Sequence, residues 1–296
     1  MAAAGGHVAA LRSLIAADEH GRRTLMSVPG CWDGLTALLI EQAGFPAAFL
    51  SGGALSMARL GRPDIGLTTM GEAADAVAMI RDRIAIPLIV DGDTGFGNAL
   101  NMQRTVRSFE RAGASAIQIE DQVFPKRCGH MAGKAVVPIA EAVGKVRAAV
   151  DARTDMLVIA RTDAVGPEGI GAAMDRAEAY LEAGADLLFI EGPRDLAATQ
   201  AVANRFAARV PLVHNLVEGG VSATKSGAEL EAMGFAIAIH PLLLMHGLVA
   251  QAPGLLAHLA AHRSTEGLGD AIADLATMNR ITGAAALLAE GDSYAG

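Results

Sequence analysis

The chain has 296 residues, a formal charge of −8, 52% apolar side chains and only 19% charged ones. That composition describes a compact globular protein with a sizeable core, and excludes extended disorder away from the ends. The acidic balance, without a Lys/Arg run or interleaved aromatic platform, argues against nucleic acid and anionic membrane surfaces; no uninterrupted apolar run approaches the roughly 20 residues of a membrane span, and Met1 to Gly6 lacks a basic-then-apolar leader, so a soluble cytoplasmic metabolic enzyme is expected.

Short apolar runs recur along the chain, each followed by a turn and an amphipathic helical stretch. Eight strands are predicted, over Thr24 to Val28, Ala47 to Ser51, Pro87 to Asp91, Ala116 to Glu120, Met156 to Arg161, Leu187 to Glu191, Pro211 to Asn215 and Phe235 to Ile239. Between them, Leu100 to Ala112, Ile139 to Ala152, Ile170 to Ala183 and Ala197 to Ala208 carry apolar residues at helical spacing. Eight strand–helix repeats predict an α/β fold, a (β/α)8 TIM barrel.

Three helices close on similar signals, with Gly44, Gly113 and Gly184 placed to take the left-handed cap before the next strand. Past the eighth strand, residues 241–296 are mostly helical and longer than one closing helix requires, so part of them is expected to pack on another subunit. No linker divides the chain, and 1–296 is read as one barrel domain. Cys31 and Cys128 stand in different surroundings, which supports neither a disulfide framework nor a cysteine zinc site. Cys31, beside Trp32, reads as a small buried residue.

In such a barrel the carboxyl ends of the strands face one mouth, where active sites are built. Read as a list, those ends give Ser51-Gly52-Gly53, Asp91 with Asp93, Glu120, Arg161 with Asp163, Glu191, Asn215 with Glu218, and His240. Asp91, Asp93 and Glu120, with Asp64 from the preceding loop, form a hard-oxygen cluster. Crowded carboxylates repel unless a cation offsets them, which predicts Mg2+ or Mn2+. Arg161 offers a planar fork for a substrate carboxylate or, alternatively, a partner for Glu191, and Asn215 with the amides of Ser51, Gly52 and Gly53 can donate to further anionic oxygens. The glycine-rich stretch Gly92 to Asn98 lacks a P-loop lysine, and its acids would repel phosphate; it reads as a tight loop holding metal-binding acids.

Lys126-Arg127-Cys128-Gly129-His130 crowds two bases and an imidazole around a thiol in a polar loop. Such neighbours lower a thiol pKa, making Cys128 a candidate for proton transfer near neutral pH.

Taken in order, Ser51-Gly52-Gly53, Val90 to Gly97, Ile119-Glu120-Asp121-Gln122, Lys126 to His130, Ala160 to Ala164 and Asn215 to Gly220 resemble the isocitrate lyase and phosphoenolpyruvate mutase superfamily, particularly its methylisocitrate lyase and dimethylmalate lyase branches. The resemblance covers about residues 25 to 245. It implies a barrel whose eighth helix is exchanged between subunits in a homo-oligomer, a dimer of dimers. It also implies Mg2+ held by Asp91 and Asp93, with Asp64 and Glu120 helping, and a Cys128 loop that closes over the substrate. Ser51, Gly52, Gly53, Gly129, His130, Arg161, Glu191 and Asn215 would contact a small carboxylate.

The implied reaction is a retro-aldol type cleavage of a 2-hydroxy di- or tricarboxylate to a 2-oxo acid and a carboxylate, with Cys128 as general acid and either Glu191 or a metal-linked water as the hydroxyl base. The methylisocitrate lyase pattern has further arginines after the eighth strand, where this chain has His246 and Met278, and the segments around Glu191 and Asn215 look closer to enzymes of smaller dicarboxylates. The complete cysteine motif separates the chain from plain oxaloacetate decarboxylases and phosphonomutases. An oxaloacetate hydrolase is the main alternative; a non-catalytic dicarboxylate-binding barrel makes poor use of the acid cluster and Cys128.

Overall fold

The computed structural model describes residues 6–295 except 130, 132, 221, 223 and 225, and divides into two compact units, Met1–Leu243 and Leu244–Gly296. In the first, eight parallel strands close into a barrel: β1 Met26–Cys31, β2 Ala48–Leu50, β3 Leu88–Asp91, β4 Ala116–Glu120, β5 Leu157–Thr162, β6 Leu187–Ile190, β7 Leu212–Asn215 and β8 Ile237–His240. Pairing of Met26 with Ile237 and of Val28 with Ile239 completes the ring. The strands are covered on both faces, which is why their sequences are near-continuous apolar runs rather than alternating ones. Inside, Val28, Phe49, Ile89, Ile159, Phe189, Val213 and Ile239 belong to one buried cluster.

The predicted barrel is therefore present. The β4 bounds coincide with expectation, as do those of the helix Ile139–Ala152. The helix Val165–Glu182 begins earlier than expected, but Gly169, at φ +87°, interrupts it just before Ile170. β1 runs on past the expected Val28 through Pro29 and Gly30; a Cβ on Gly30 would lie 2.0 Å from the Pro241 carbonyl oxygen, so only glycine fits that crossing. Gly44, Gly113 and Gly184 adopt φ of +83°, +101° and +99°, the left-handed conformation their positions predicted. Cys31 is fully buried, its thiol pKa pushed up by burial, as an inert core cysteine should be.

The second unit contains most of the helix Leu243–His262, then Leu275–Thr282 and Ala284–Ser293. Leu243–His262 has 20 residues and is apolar enough to cross a membrane by length and composition, although His246, Pro253 and His258 interrupt it. Its side chains are largely exposed, Leu248, Val249 and Leu256 among them.

Candidate active site

β2 hands the chain to Ser51, whose hydroxyl caps the helix Gly52–Leu60 by accepting from the Ala54 amide at 3.2 Å. The same turn presents the Gly52 amide to Asp91 Oδ2 at 3.3 Å, and a Cβ on Gly52 would lie 2.9 Å from that oxygen. Gly53 lies against Asp64, where a Cβ would sit 3.4 Å from the aspartate Cβ. After β3 the chain bends sharply: Asp93 takes φ +46°, donates its amide to Asp91 Oδ1 at 3.1 Å and accepts from the Glu120 amide at 2.9 Å. Asp tolerates this left-handed conformation better than most residues. The glycine-rich loop ends at Asn98, whose side chain accepts from the amides of Leu100 and Asn101 to start the next helix, so the loop's polar end serves a helix cap.

The acids thus gathered have a cation among them, and it is Lys126. Only 3% exposed, its ammonium pairs with Asp64 and stands 2.8 Å from Asp93 Oδ1. The sequence placed Lys126 with Arg127 and His130 beside the Cys128 thiol; in the structure its charge is matched by carboxylates. Burial alone would lower the lysine pKa, but Asp93, Glu120, Asp64 and Asp91 outweigh it and hold the group well above the ordinary value. Burial, partly offset by Lys126, pushes the Asp93 carboxyl up to about 7. Glu120 is raised for the same reason despite the neighbouring Arg161.

Arg161 has a partner that its sequence position did not indicate. Its fork is taken by Asp163, with Nε donating at 2.9 Å and Nη2 at 3.1 Å, while Glu120 and Glu191 stand at 3.4 and 3.5 Å. The expected pairing with Glu191 is therefore present, and Asp163 is a further, bidentate partner on Nε and Nη2. Arg161 also stacks its guanidinium 5.1 Å from the Phe189 ring centroid. Burial would raise Asp163, but Arg161 and Lys134 hold its carboxyl down at about 2.

The loop carrying Cys128 is fastened at several points. Gln122 closes a two-bond clamp on Arg127, its Nε2 donating to the Arg127 carbonyl at 2.8 Å and its Oε1 accepting from the amide at 3.0 Å. The Cys128 amide donates to the Asp64 carbonyl at 3.1 Å, and Lys134 Nζ bridges the Gly129 carbonyl at 2.6 Å and Asp163 at 2.8 Å. Gly129 packs so closely that a Cβ would lie 2.5 Å from Arg161 Nη2 and 2.9 Å from Glu191 Cδ. The loop therefore lies across the mouth. Beneath it, a cavity of about 110 Å³ is lined by Ser51, Gly53, Asp64, Asp91, Cys128, Gly129, Arg161 and Asn215, among others.

Of the remaining predicted residues, Glu191 is buried beside this cavity and accepts from Asn215 Nδ2 at 3.1 Å. Gly52, Asp93 and Glu120 stand behind its wall, in the contacts just described. His130 lies outside the described residues. A larger cavity of about 760 Å³, lined by Leu67, Phe96, Phe124 and Lys145 among others, contains none of the predicted site residues.

No three acidic, histidine or cysteine side chains form a ready metal cage among the described residues. Asp91, Asp93, Asp64 and Glu120 nevertheless supply hard oxygens, and among the described residues Glu120 Oε1 is buried without a hydrogen-bond partner. That set fits Mg2+ or Mn2+, which take one or two carboxylates and keep several waters.

Three residues escaped sequence reasoning. Lys134 and Asp121 act as supports: Asp121 accepts from Thr162 Oγ1 at 2.7 Å, the Asp163 amide at 2.9 Å and the Tyr180 hydroxyl at 2.7 Å, fixing the strand end that carries Arg161. The third, Gln118, lines the cavity; counting two residues back from Glu120 along the inward face would have found it.

A family model described as phosphoenolpyruvate phosphomutase matches residues 17–258. The chain is 40% identical to 2,3-dimethylmalate lyase of Eubacterium barkeri over 88% of its length and 90% of that protein's. It is 45% identical to 2-methylisocitrate lyase of Aeropyrum pernix over 75% of its length and 71% of that protein's. Among solved structures, oxaloacetate acetylhydrolase in complex with the inhibitor 3,3-difluorooxalacetate superposes with a TM-score of 0.90 at 32% identity, covering 98% of this chain and 97% of the other.

Proposed function

We propose that this chain, which belongs to the phosphoenolpyruvate mutase/isocitrate lyase superfamily, is an Mg2+-dependent carbon–carbon lyase of the 2,3-dimethylmalate or 2-methylisocitrate type. The observation that carries this reading is the meeting of Cys128, Asp64, Asp91, Arg161 and Asn215 around one cavity at the carboxyl ends of the strands. Dimethylmalate and methylisocitrate lyases are the relatives with the identities given above.

In this reading Asp91 and Asp93, with Asp64 and Glu120, hold the metal, which when bound supplies Lewis-acid stabilisation of developing negative charge. Arg161, kept in place by Asp163, and Asn215 fix the substrate's carboxylates, with the Ser51-Gly52-Gly53 turn completing the cradle. Glu191 takes the proton of the 2-hydroxyl. The electrons of that O–H bond form the 2-oxo group, and the adjacent carbon–carbon bond breaks with its pair left on the carbon next to the second carboxylate. Cys128 gives its thiol proton to that carbon, and the loop excludes competing water meanwhile.

The test is incubation with 2,3-dimethylmalate, 2-methylisocitrate, isocitrate and oxaloacetate in the presence of Mg2+, with products identified by mass. A 2-oxo acid and a carboxylate from one of the first three is the expected result. A second reading, hydrolysis of oxaloacetate to oxalate and acetate, draws on the likeness to oxaloacetate acetylhydrolase; oxalate and acetate from oxaloacetate, with none of the first three compounds cleaved, would establish it in place of the lyase.

We read the exposed apolar helix Leu243–His262 as covered by a second copy of the chain in a cytoplasmic homo-oligomer of four, as the family resemblance implies. Its run of exposed Leu and Val supports a protein partner, and the histidines and Pro253 within it are costly in lipid. Light scattering giving a monomer mass would overturn this.

A further inference from the structure

Gln118 is the one polar side chain on the inward face of β4 below Glu120, in register with Asp91 of β3 and Ile159 of β5. It is 1% exposed and lines the active cavity together with the apolar side chains of Phe49 and Ile239. Its backbone carbonyl is occupied, accepting from the Gly92 amide at 2.8 Å, but its side-chain Oε1 is sealed without a hydrogen-bond partner among the described residues. Leaving such an oxygen unpaired costs about 1–3 kcal/mol, a penalty that leucine or methionine would avoid at the same position.

We propose that Gln118 is a specificity-determining residue that accepts a hydrogen bond from the 2-hydroxyl in the ground-state complex, the hydroxyl proton turning from Gln118 to Glu191 as cleavage begins; this rests on the lyase reading above. Among the polar side chains lining the cavity, Arg161 only donates, Asn215 gives its Nδ2 to Glu191 at 3.1 Å, Ser51 Oγ accepts from the Ala54 amide, and Asp64 and Asp91 are acids. Asp91 already accepts on both oxygens, from the amides of Gly52 and Asp93. Gln118 adds a neutral acceptor, matched to a group that donates without carrying charge. Its amide donor can serve the 2-oxo oxygen formed on cleavage, because a carboxamide has one of each. A dicarboxylate without the hydroxyl leaves the acceptor unpaired and is discriminated against on that ground.

The experiment is calorimetric binding of malate and of succinate, which differ by that hydroxyl, to the full chain with Mg2+. Wild type is expected to favour malate by about tenfold or more, the worth of one well-formed hydrogen bond. Gln118→Leu and Gln118→Met are each expected to cut the preference to about threefold or less while leaving succinate affinity within about threefold, because the lost contact is to the hydroxyl alone. A preference retained in both variants, an equal loss for both ligands, or no preference in wild type overturns the role of Gln118. If wild type binds neither dicarboxylate, the role of Gln118 is overturned, while the lyase reading stands or falls separately by the product survey.

Discussion

The ammonium of Lys126 stands 2.8 Å from Asp93 Oδ1 and also pairs with Asp64, so the loop is tied to the acids of the barrel mouth two residues before its thiol. A lysine in that place supplies positive charge that a divalent ion would also supply. Lys126→Met therefore leaves buried acids without a counter-charge, and chemical denaturation of the metal-free variant should show a loss of about 3–5 kcal/mol. Mg2+ should restore a larger share of stability to the variant than it adds to wild type. Equal Mg2+ stabilisation of the two proteins would show that the ammonium and the metal do not share these acids.

Gly129→Ala tests the closed loop from the other side. The added methyl would meet Arg161 Nη2 at 2.5 Å and Glu191 Cδ at 2.9 Å, two groups already held by Asp163 and Asn215. Overpacking of this kind costs about 1–3 kcal/mol, and here the loop can escape it by lifting away. A rise of about tenfold or more in KM is expected, since that is the rate equivalent of roughly 1.4 kcal/mol. Gly144→Ala, within the helix Ile139–Ala152 and with nothing near its added methyl, is the control and should slightly stabilise. Unchanged KM in Gly129→Ala would mean that the loop does not bear on substrate binding.

The barrel was legible in the sequence because a strand buried on both faces must be apolar along its length, and a helix on its outside must show one apolar face. Where the β1 bounds were missed, Pro29 and Gly30 have the local character of a turn, and only the close crossing of Pro241 requires them in the strand. The mouth residues were legible because the carboxyl ends of strands are fixed by topology. Lys126 shows the limit: adjacency to Cys128 says nothing of where a long side chain ends, and 62 residues separate it from Asp64. Gln118 was hidden because an amide inside an apolar run reads as part of the run.

Asp163 holds its charge through Arg161 and Lys134, and its effect on stability has a defined pH window. Its folded pKa, about 2, lies below the ordinary 3.8, so its contribution is present above pH 3.8 and is lost as pH falls towards 2. The gap is worth about 2 kcal/mol. Asp163→Asn should lack this acid-labile component, and at neutral pH should be less stable by about 3–5 kcal/mol because two buried cations lose their partner. Denaturation measured from pH 7 to pH 2.5 decides the matter: parallel curves for wild type and variant would refute the assignment.

In the proposed reaction Cys128 is the proton donor; it is half-buried at the cavity and lies between the Lys126 tether and the packed Gly129. Cys128→Ser keeps the shape and a hydroxyl, but an alcohol is a far weaker acid than a thiol, so proton delivery to the carbanion should slow. On the substrate found in the product survey, kcat should fall by about 100-fold or more, the usual scale for removing a general acid. The substrate dissociation constant should change little, because the proposed carboxylate contacts are to Arg161 and Asn215 and not to the sulfur, while KM should fall along with kcat as the cleaved intermediate accumulates. Stopped-flow measurement of 2-oxo acid formation separates cleavage from protonation: a prompt burst followed by slow turnover is expected if the carbon–carbon bond breaks before Cys128 acts. A variant that keeps full turnover would remove Cys128 from the chemistry and leave its loop only the task of closure.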